Sequence, residues 1–269
     1  IVGSFIFYSY WDWRYLLLLV GSGLIDFFAA RAMVGSSRPR RLLILSVLGN
    51  VGSLACFKYA TFVVENLNWA LSSIGSAYQI SGVPLPTVVP IGISFYTFQS
   101  MSYTIDVYRG RLQPTHSLVH FFAYLSMFPQ LVAGPIERAR NLLPQLTERR
   151  TPDAAQCWIS WKLILNGLFK KCVIADSLAV FVNQAFAHSE AFGSGFYWWV
   201  IVAMFAMQIY CDFSGYSDIA RGLAGLMGIQ LMVNFDHPYL SRSFSEFWTR
   251  WHISLSSWFR DYVYIPLGG

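Results

Sequence analysis

Of the five histidines in this sequence, His252 has the most chemically suggestive setting: it lies in EFWTRWHISLSSWFRDYVYIPLGG, residues 246–269. Aromatic, basic and hydroxyl side chains crowd around it, with Arg250, Trp251, Ser254, Arg260 and Asp261 all close in sequence. An imidazole with an ordinary pKa of about 6.5 suits a general base or a pocket donor at neutral pH. The other reading is a core ring bonded to a backbone carbonyl, and on the residues alone that reading leads. Read as one helix, 246–262 gathers Trp248, Trp251, His252, Leu255, Phe259 and Tyr262 on one face and Arg250, Ser254, Ser257 and Asp261 on the other. Ser243, three residues before Glu246, fits a capping box that opens this helix, and Pro266 with Gly268 and Gly269 ends it.

A second polar group follows an apolar run, in CDFSGYSDIARGL, residues 211–223. Ionisable residues within membrane helices are costly and usually face a cavity or a partner. In a continuing helix Gln208 and Asp212 lie at i,i+4, as do Ser214 and Asp218, while Asp218 and Arg221 lie at i,i+3. One reading makes Asp212, Ser214, Tyr216 and Asp218 the floor of a polar pocket. The other pairs Asp218 with Arg221 and leaves Asp212 to cap a helix after a break. The loop NFDHPYLSRSFSEFW begins at Asn234, and its His237 precedes a proline, a setting for turn chemistry or a surface contact. His116 and His120 share an i,i+4 spacing but have no carboxylate beside them, so no metal site is expected. The four cysteines are scattered, without the spacing of a zinc site or a disulfide framework.

The elements that position these residues belong in a membrane. Of 269 residues, 55% are hydrophobic and only 12% charged, against about 25% charged in a soluble domain. Apolar stretches at 15–34 and 42–64 approach the roughly 20 residues that cross a hydrocarbon core. Others recur at 88–108, 117–136, 172–187 and 196–211. The expectation is an all-α, polytopic transmembrane helical bundle, residues 1–269 forming one membrane-embedded domain. The net charge of +5 is read as topology, because Lys and Arg collect in cytoplasmic loops; no nucleic-acid partner is expected.

By that rule the loop 35–41, GSSRPRR, is cytoplasmic and the uncharged connector 66–87 lies opposite. The segment 117–136 is followed by another basic loop, 137–150, which a simple crossing would put on the wrong side. Pro129, Gly134 and Pro135 suggest a broken or re-entrant helix lining a cytoplasm-facing cavity. Residues 161–171 read as an interfacial helix leading into a weak span, and 188–195 as an outer turn. Ile1 in place of Met and an end at IPLGG suggest a fragment lacking both termini.

Four ordered stretches resemble the motifs of the membrane-bound O-acyltransferase family, in its bacterial alginate O-acetylation branch. They are PIGISFYTFQSMSYTIDVYRG (90–110), FPQLVAGPIERA (128–139), YCDFSGYSDIARGLAGLMGI (210–229) and NFDHPYLSRSFSEFWTRWHISLSSWFRDYVYIPLGG (234–269). The resemblance implies a ring of tilted helices in the bacterial cytoplasmic (inner) membrane. A hydroxyl attacks a thioester, acetyl-CoA or another acyl thioester, with no bound cofactor. By the same resemblance the acetyl group is expected to pass towards a secreted polysaccharide such as alginate, with an extracytoplasmic acetyltransferase as partner and membrane lipid around it. His252 matches the first of the family's two histidine positions, in its RWHxSLS motif. The second and more usually catalytic one, in a WHG-like motif, is absent from this sequence. The resemblance therefore implies catalytic His252, with Asp212, Ser214, Tyr216, Asp218, Asn234, Arg250, Trp251, Ser254, Arg260 and Asp261 as the tunnel set. Activity is expected of the full-length protein and not of this fragment. The competing readings are a transporter, for which no internal repeat is found, and a scaffold that recruits an outer acetylase.

Overall fold

The computed structural model describes residues 1–81, 89–148, 150–188, 190 and 194–269, and these hold helices and no strand. The connector 66–87 and the outer turn 188–195 therefore lie partly outside the described residues. Among the described residues, three helical runs are long and apolar enough to cross a membrane: Trp13–Met33, Pro39–Ser73 and Gly195–Leu226. Large apolar side chains such as Phe28, Leu48, Phe62 and Trp199 are more than half exposed on them, as lipid-facing surfaces require. The protein is an all-α membrane protein. Its described residues divide into two compact units, residues 1–128 with 138–140, and residues 129–137 with 141–269.

The first unit contains α1 (Val2–Ser9), α2 (Trp13–Met33), α3 (Pro39–Leu54), α4 (Ala60–Ser73), α5 (Ile93–Tyr108) and α6 (Leu118–Leu125). Asp12 starts α2 by accepting from the Arg14 N–H, which satisfies one donor of the open first turn. A π-helical turn at 55–59 joins α3 to α4 without a stop, so residues 66–73 of the expected connector are helix. At the centre lies Asp26 of α2, with no exposed surface. Its carboxylate accepts from Ser46 Oγ at 2.5 Å and from Asn50 Nδ2 at 2.8 and 2.9 Å, both on α3, and from Ser100 Oγ on α5. Helices in lipid gain little from the hydrophobic effect between them, so such hydrogen bonds help to hold the three together. Beside this cluster Phe27, Tyr103, Phe121 and Tyr124 pack ring on ring. Gln99 and Tyr124 exchange two side-chain to backbone bonds, 2.7 and 2.8 Å, that lock α5 to α6.

The stretch 117–136 is broken, as its prolines and glycine suggest. Helix α6 ends at Leu125, and the short α7 (Phe128–Leu131) gives way to irregular backbone before Pro135.

The second unit holds α8 (Ala139–Thr147), α9 (Ala154–Leu168), α10 (Asp176–Ala187), α11 (Gly195–Leu226), α12 (Phe244–Arg250) and α13 (Ile253–Phe259), with α8 beginning in the 138–140 stretch of the other unit. A π-helical turn at 169–175 carries α9 into α10, so the expected interfacial helix and weak span are one helical run from 154 to 187. Glycines let α9 and α11 approach closely. A Cβ on Gly167 would lie 2.5 Å from the Gly215 carbonyl, and one on Gly222 would lie 2.6 Å from the Ser160 carbonyl. Any larger residue there would push the helices apart.

Candidate functional site

The second half of α11 and the chain after it build the candidate site, all within the second unit. Helix α11 runs unbroken to Leu226, so the reading of Asp212 as a cap after a break is overturned. Asp212 instead binds Lys171 at 2.6 Å, and that lysine also holds Asp176 at 2.8 Å. Asp218 binds Lys170 at 2.8 Å and lies 3.6 Å from its expected partner Arg221. The two carboxylates thus turn towards the π-helical turn after α9. Ser214 is buried on α11 and Tyr216 half-buried.

A different side of α11 meets His252. The Phe213 ring stands edge-on to the imidazole, 4.6 Å between centroids. Phe235 lies nearly parallel to it at 6.4 Å and packs against Phe213 at 5.0 Å. The neighbouring Trp251 stacks on Phe247 at 5.5 Å and touches Phe235, Tyr239 and Tyr210. His252 and Trp251 therefore share one aromatic wall.

The expected single helix over 246–262 is corrected. Helix α12 stops at Arg250 and α13 starts at Ile253, with His252 between them in the left-handed region, φ 44° and ψ 54°. A non-glycine residue there costs on the order of 1 kcal/mol and persists only when its surroundings hold it. Asn234 supplies the hold. Its carbonyl accepts from the Ile253 N–H at 2.9 Å, and its Oδ1 accepts from Ser254 N–H at 3.3 Å and Ser254 Oγ at 2.9 Å. Its Nδ2 donates to Ser217 Oγ of α11 at 3.3 Å. Asp236 N–H donates to the Arg250 carbonyl at 3.0 Å, pairing the loop with the other side of the break. His252 makes no side-chain cap for α13; Asn234 satisfies those first amides from outside.

The start of α12 follows the expected cap: Ser243 Oγ accepts from the Glu246 N–H at 3.1 Å. The Glu246 carboxylate accepts from the Arg242 N–H at 2.8 Å and pairs with Arg250 at 2.7 Å. Arg260 and Asp261 pair with each other at 2.9 Å in the π-helical turn 260–264. Of the expected set, the structure gathers His252, Trp251, Asn234 and Ser254; Asp212 and Asp218 go elsewhere. Phe213, Ser217 and Phe235 complete the site and were not singled out from sequence. The i,i+4 spacing of Phe213 and Ser217 was the available signal.

Burial pushes the His252 pKa down to about 4. At neutral pH the ring is therefore uncharged, with one N–H to donate and one lone pair to accept. General-base catalysis is most efficient when the pKa lies near the working pH. The resting site thus holds a neutral, weakly basic imidazole on an apolar aromatic wall, suited to orienting a polar group.

Comparison with known proteins adds one family match and three relatives. The model of the membrane-bound O-acyltransferase family matches residues 41–269. The chain is 41% identical over 278 residues to the probable alginate O-acetylase AlgI of Pseudomonas aeruginosa, covering 100% of this chain and 51% of that protein. It is 34% identical over 299 residues to the peptidoglycan O-acetyltransferase of Helicobacter pylori, covering 100% and 55%. It is also 31% identical over 183 residues to the teichoic acid D-alanyltransferase of Bacillus subtilis, covering 65% and 45%. The chain spans about half the length of the curated relatives it matches in full.

Proposed function

This chain belongs to the membrane-bound O-acyltransferase family, and from that premise we propose that the full-length protein transfers an acetyl group to hydroxyls of a cell-surface polysaccharide. The similarity along the whole chain to an alginate O-acetylase and a peptidoglycan O-acetyltransferase carries this reading. The donor is an acyl thioester such as acetyl-CoA, met from the cytoplasmic side of the bacterial inner membrane. An extracytoplasmic acetyltransferase is the expected partner, and alginate is the leading acceptor.

The chemistry asks little of a cofactor. A hydroxyl attacks the thioester carbonyl, its proton must leave, and the thiolate departs. His252, neutral and braced from behind by Asn234, is read as a pocket histidine that orients the acyl carbonyl or the attacking hydroxyl by hydrogen bonding. The principal proton acceptor is then a second histidine, from the part of the full-length protein beyond these residues. Both units are read as parts of one catalytic domain, with the His252 face beside the acyl path.

The test is transfer of labelled acetyl from acetyl-CoA by the full-length protein in proteoliposomes, with polysaccharide and the outer-face partner supplied outside. Acetyl esters on the polysaccharide, dependent on the protein, are the expected result. A folded protein that consumes no thioester above empty liposomes, with any of several thioester donors, would overturn the reading.

A further inference from the structure

The two phenylalanines beside His252 belong to different elements and are both held against retreat. Phe213 on α11 meets the imidazole edge-on at 4.6 Å, and Phe235 in the loop lies within 21° of parallel to it at 6.4 Å. Resting on the acyl-transfer reading of this face, we propose that Phe213 and Phe235 determine acyl specificity, limiting the transferred group to an acetyl.

The rigidity of the wall carries the argument. At 3.6 residues per turn, Gly215 lies about 200° round the helix from Phe213, so it faces nearly the opposite way. There the backbones of α11 and α9 touch: a Cβ on Gly215 would lie 2.8 Å from the Gly167 carbonyl, and one on Gly222 would lie 2.6 Å from the Ser160 carbonyl. Helix α11 therefore has no room to carry Phe213 away from His252. Phe235 is wedged in turn against Phe213 at 5.0 Å, Trp251 at 5.1 Å and Tyr210 at 5.9 Å. Ring centroids separated by about 4.5–7 Å are in contact, so moving Phe235 means displacing other rings.

The wall is not sealed. Phe213, Phe235, Trp251 and His252 are each half-buried, which leaves them an accessible face as well as a packed one. An acyl carbonyl bonded to the imidazole runs its alkyl end along that face. A methyl group adds one carbon there, whereas each further methylene must push against a ring that is itself braced, and packed groups resist such insertion. One methylene more or less in a fitted apolar pocket changes the rate by roughly 10–200-fold. A yielding wall would discriminate less, so the glycine contacts behind α11 contribute to specificity without touching the substrate.

The experiment uses the full-length protein in proteoliposomes with polysaccharide and the outer-face partner, and supplies acetyl-CoA, propionyl-CoA or butyryl-CoA as donor. The readout is the initial rate of ester formation per folded molecule, expressed as the acetyl-to-butyryl ratio. The wild type is expected to favour acetyl by at least about tenfold, and Phe213→Ala and Phe235→Leu should each lower that ratio at least about tenfold by admitting the longer chain. Phe213→Leu, which removes fewer atoms, carries the test if Phe213→Ala does not fold. Phe205→Ala removes another phenylalanine of α11, one that packs on Phe186 at 5.6 Å, and should leave the ratio unchanged. Wild-type transfer of acetyl with a ratio unaltered in the folded wall variants would overturn the proposal and leave the acyl-transfer reading standing. An equal fall in Phe205→Ala would likewise overturn it, as general loosening of α11. A folded wild type that transfers none of the three groups would overturn both.

Discussion

Asp26 and His252 are both polar groups set among helices, and they are held in opposite ways. The Asp26 carboxylate is saturated by Ser46, Asn50 and Ser100 in regular α3 and α5, with no backbone distortion. At His252 the backbone itself is distorted, and the hydrogen bonds that hold it come from Asn234 to the flanking amides. The first arrangement spends its side chain on holding helices together. In the second, the backbone position is held by another residue rather than by the His252 side chain. Backbone strain held in place by its surroundings is a mark of function more often than of packing.

Breaking the first centre should have the largest effect on stability. Asp26→Leu leaves Ser46, Asn50 and Ser100 buried without their acceptor and is expected to cost about 3–5 kcal/mol. Detergent-solubilised protein would then show a large drop in thermal midpoint or fail to accumulate, whereas Asp26→Asn, which keeps the shape and two hydrogen-bonding groups, should lose far less. Equal losses for the two would mean that charge rather than shape and bonding holds the cluster.

The brace comes next. Asn234→Ala removes both side-chain bonds to Ser254 and the one to Ser217, a loss of about 2–3 kcal/mol by denaturant unfolding. Because it lets the 250–253 break relax, it should lower acyl transfer as well. A variant that loses stability but keeps full transfer would separate Asn234 from the site.

Acid should act on the second centre by a smaller amount. His252 has a pKa of about 4 in the folded protein against about 6.5 when unfolded. Between those values the unfolded chain binds the extra proton, so stability rises with pH across the window and is complete above about 6.5. Acidification from pH 6.5 to 4 should therefore remove on the order of 2 kcal/mol through this residue. His252→Asn should flatten that part of the profile, and an unchanged pH dependence in the variant would show that His252 is not its source.

Much of this was legible in the sequence because it is local. Apolar length announced the membrane helices, Ser243 and Glu246 announced the start of α12, and Pro129 with Gly134 announced the broken segment. The side of α11 that serves the site was not legible. Its direction is set by Gly167 and Gly215 packing against each other and by Lys170, 48 residues from Asp218, and no spacing within α11 reveals such partners. The break at His252 was hidden for a related reason. No glycine or proline marks it, and the periodicity of 246–262 reads as one helix. The left-handed turn is imposed by Asn234, 20 residues away from Ser254.

The most direct test sets the two centres side by side in the full-length protein, measuring acetyl transfer per folded molecule for His252→Asn and Asp26→Asn. Asparagine tolerates the left-handed backbone, so the first variant should keep its fold. The account predicts that His252→Asn loses at least about tenfold in transfer, a barrier change of 1.4 kcal/mol or more, with its unfolding midpoint near wild type, while Asp26→Asn keeps most of its activity. Near wild-type transfer by His252→Asn would contradict it.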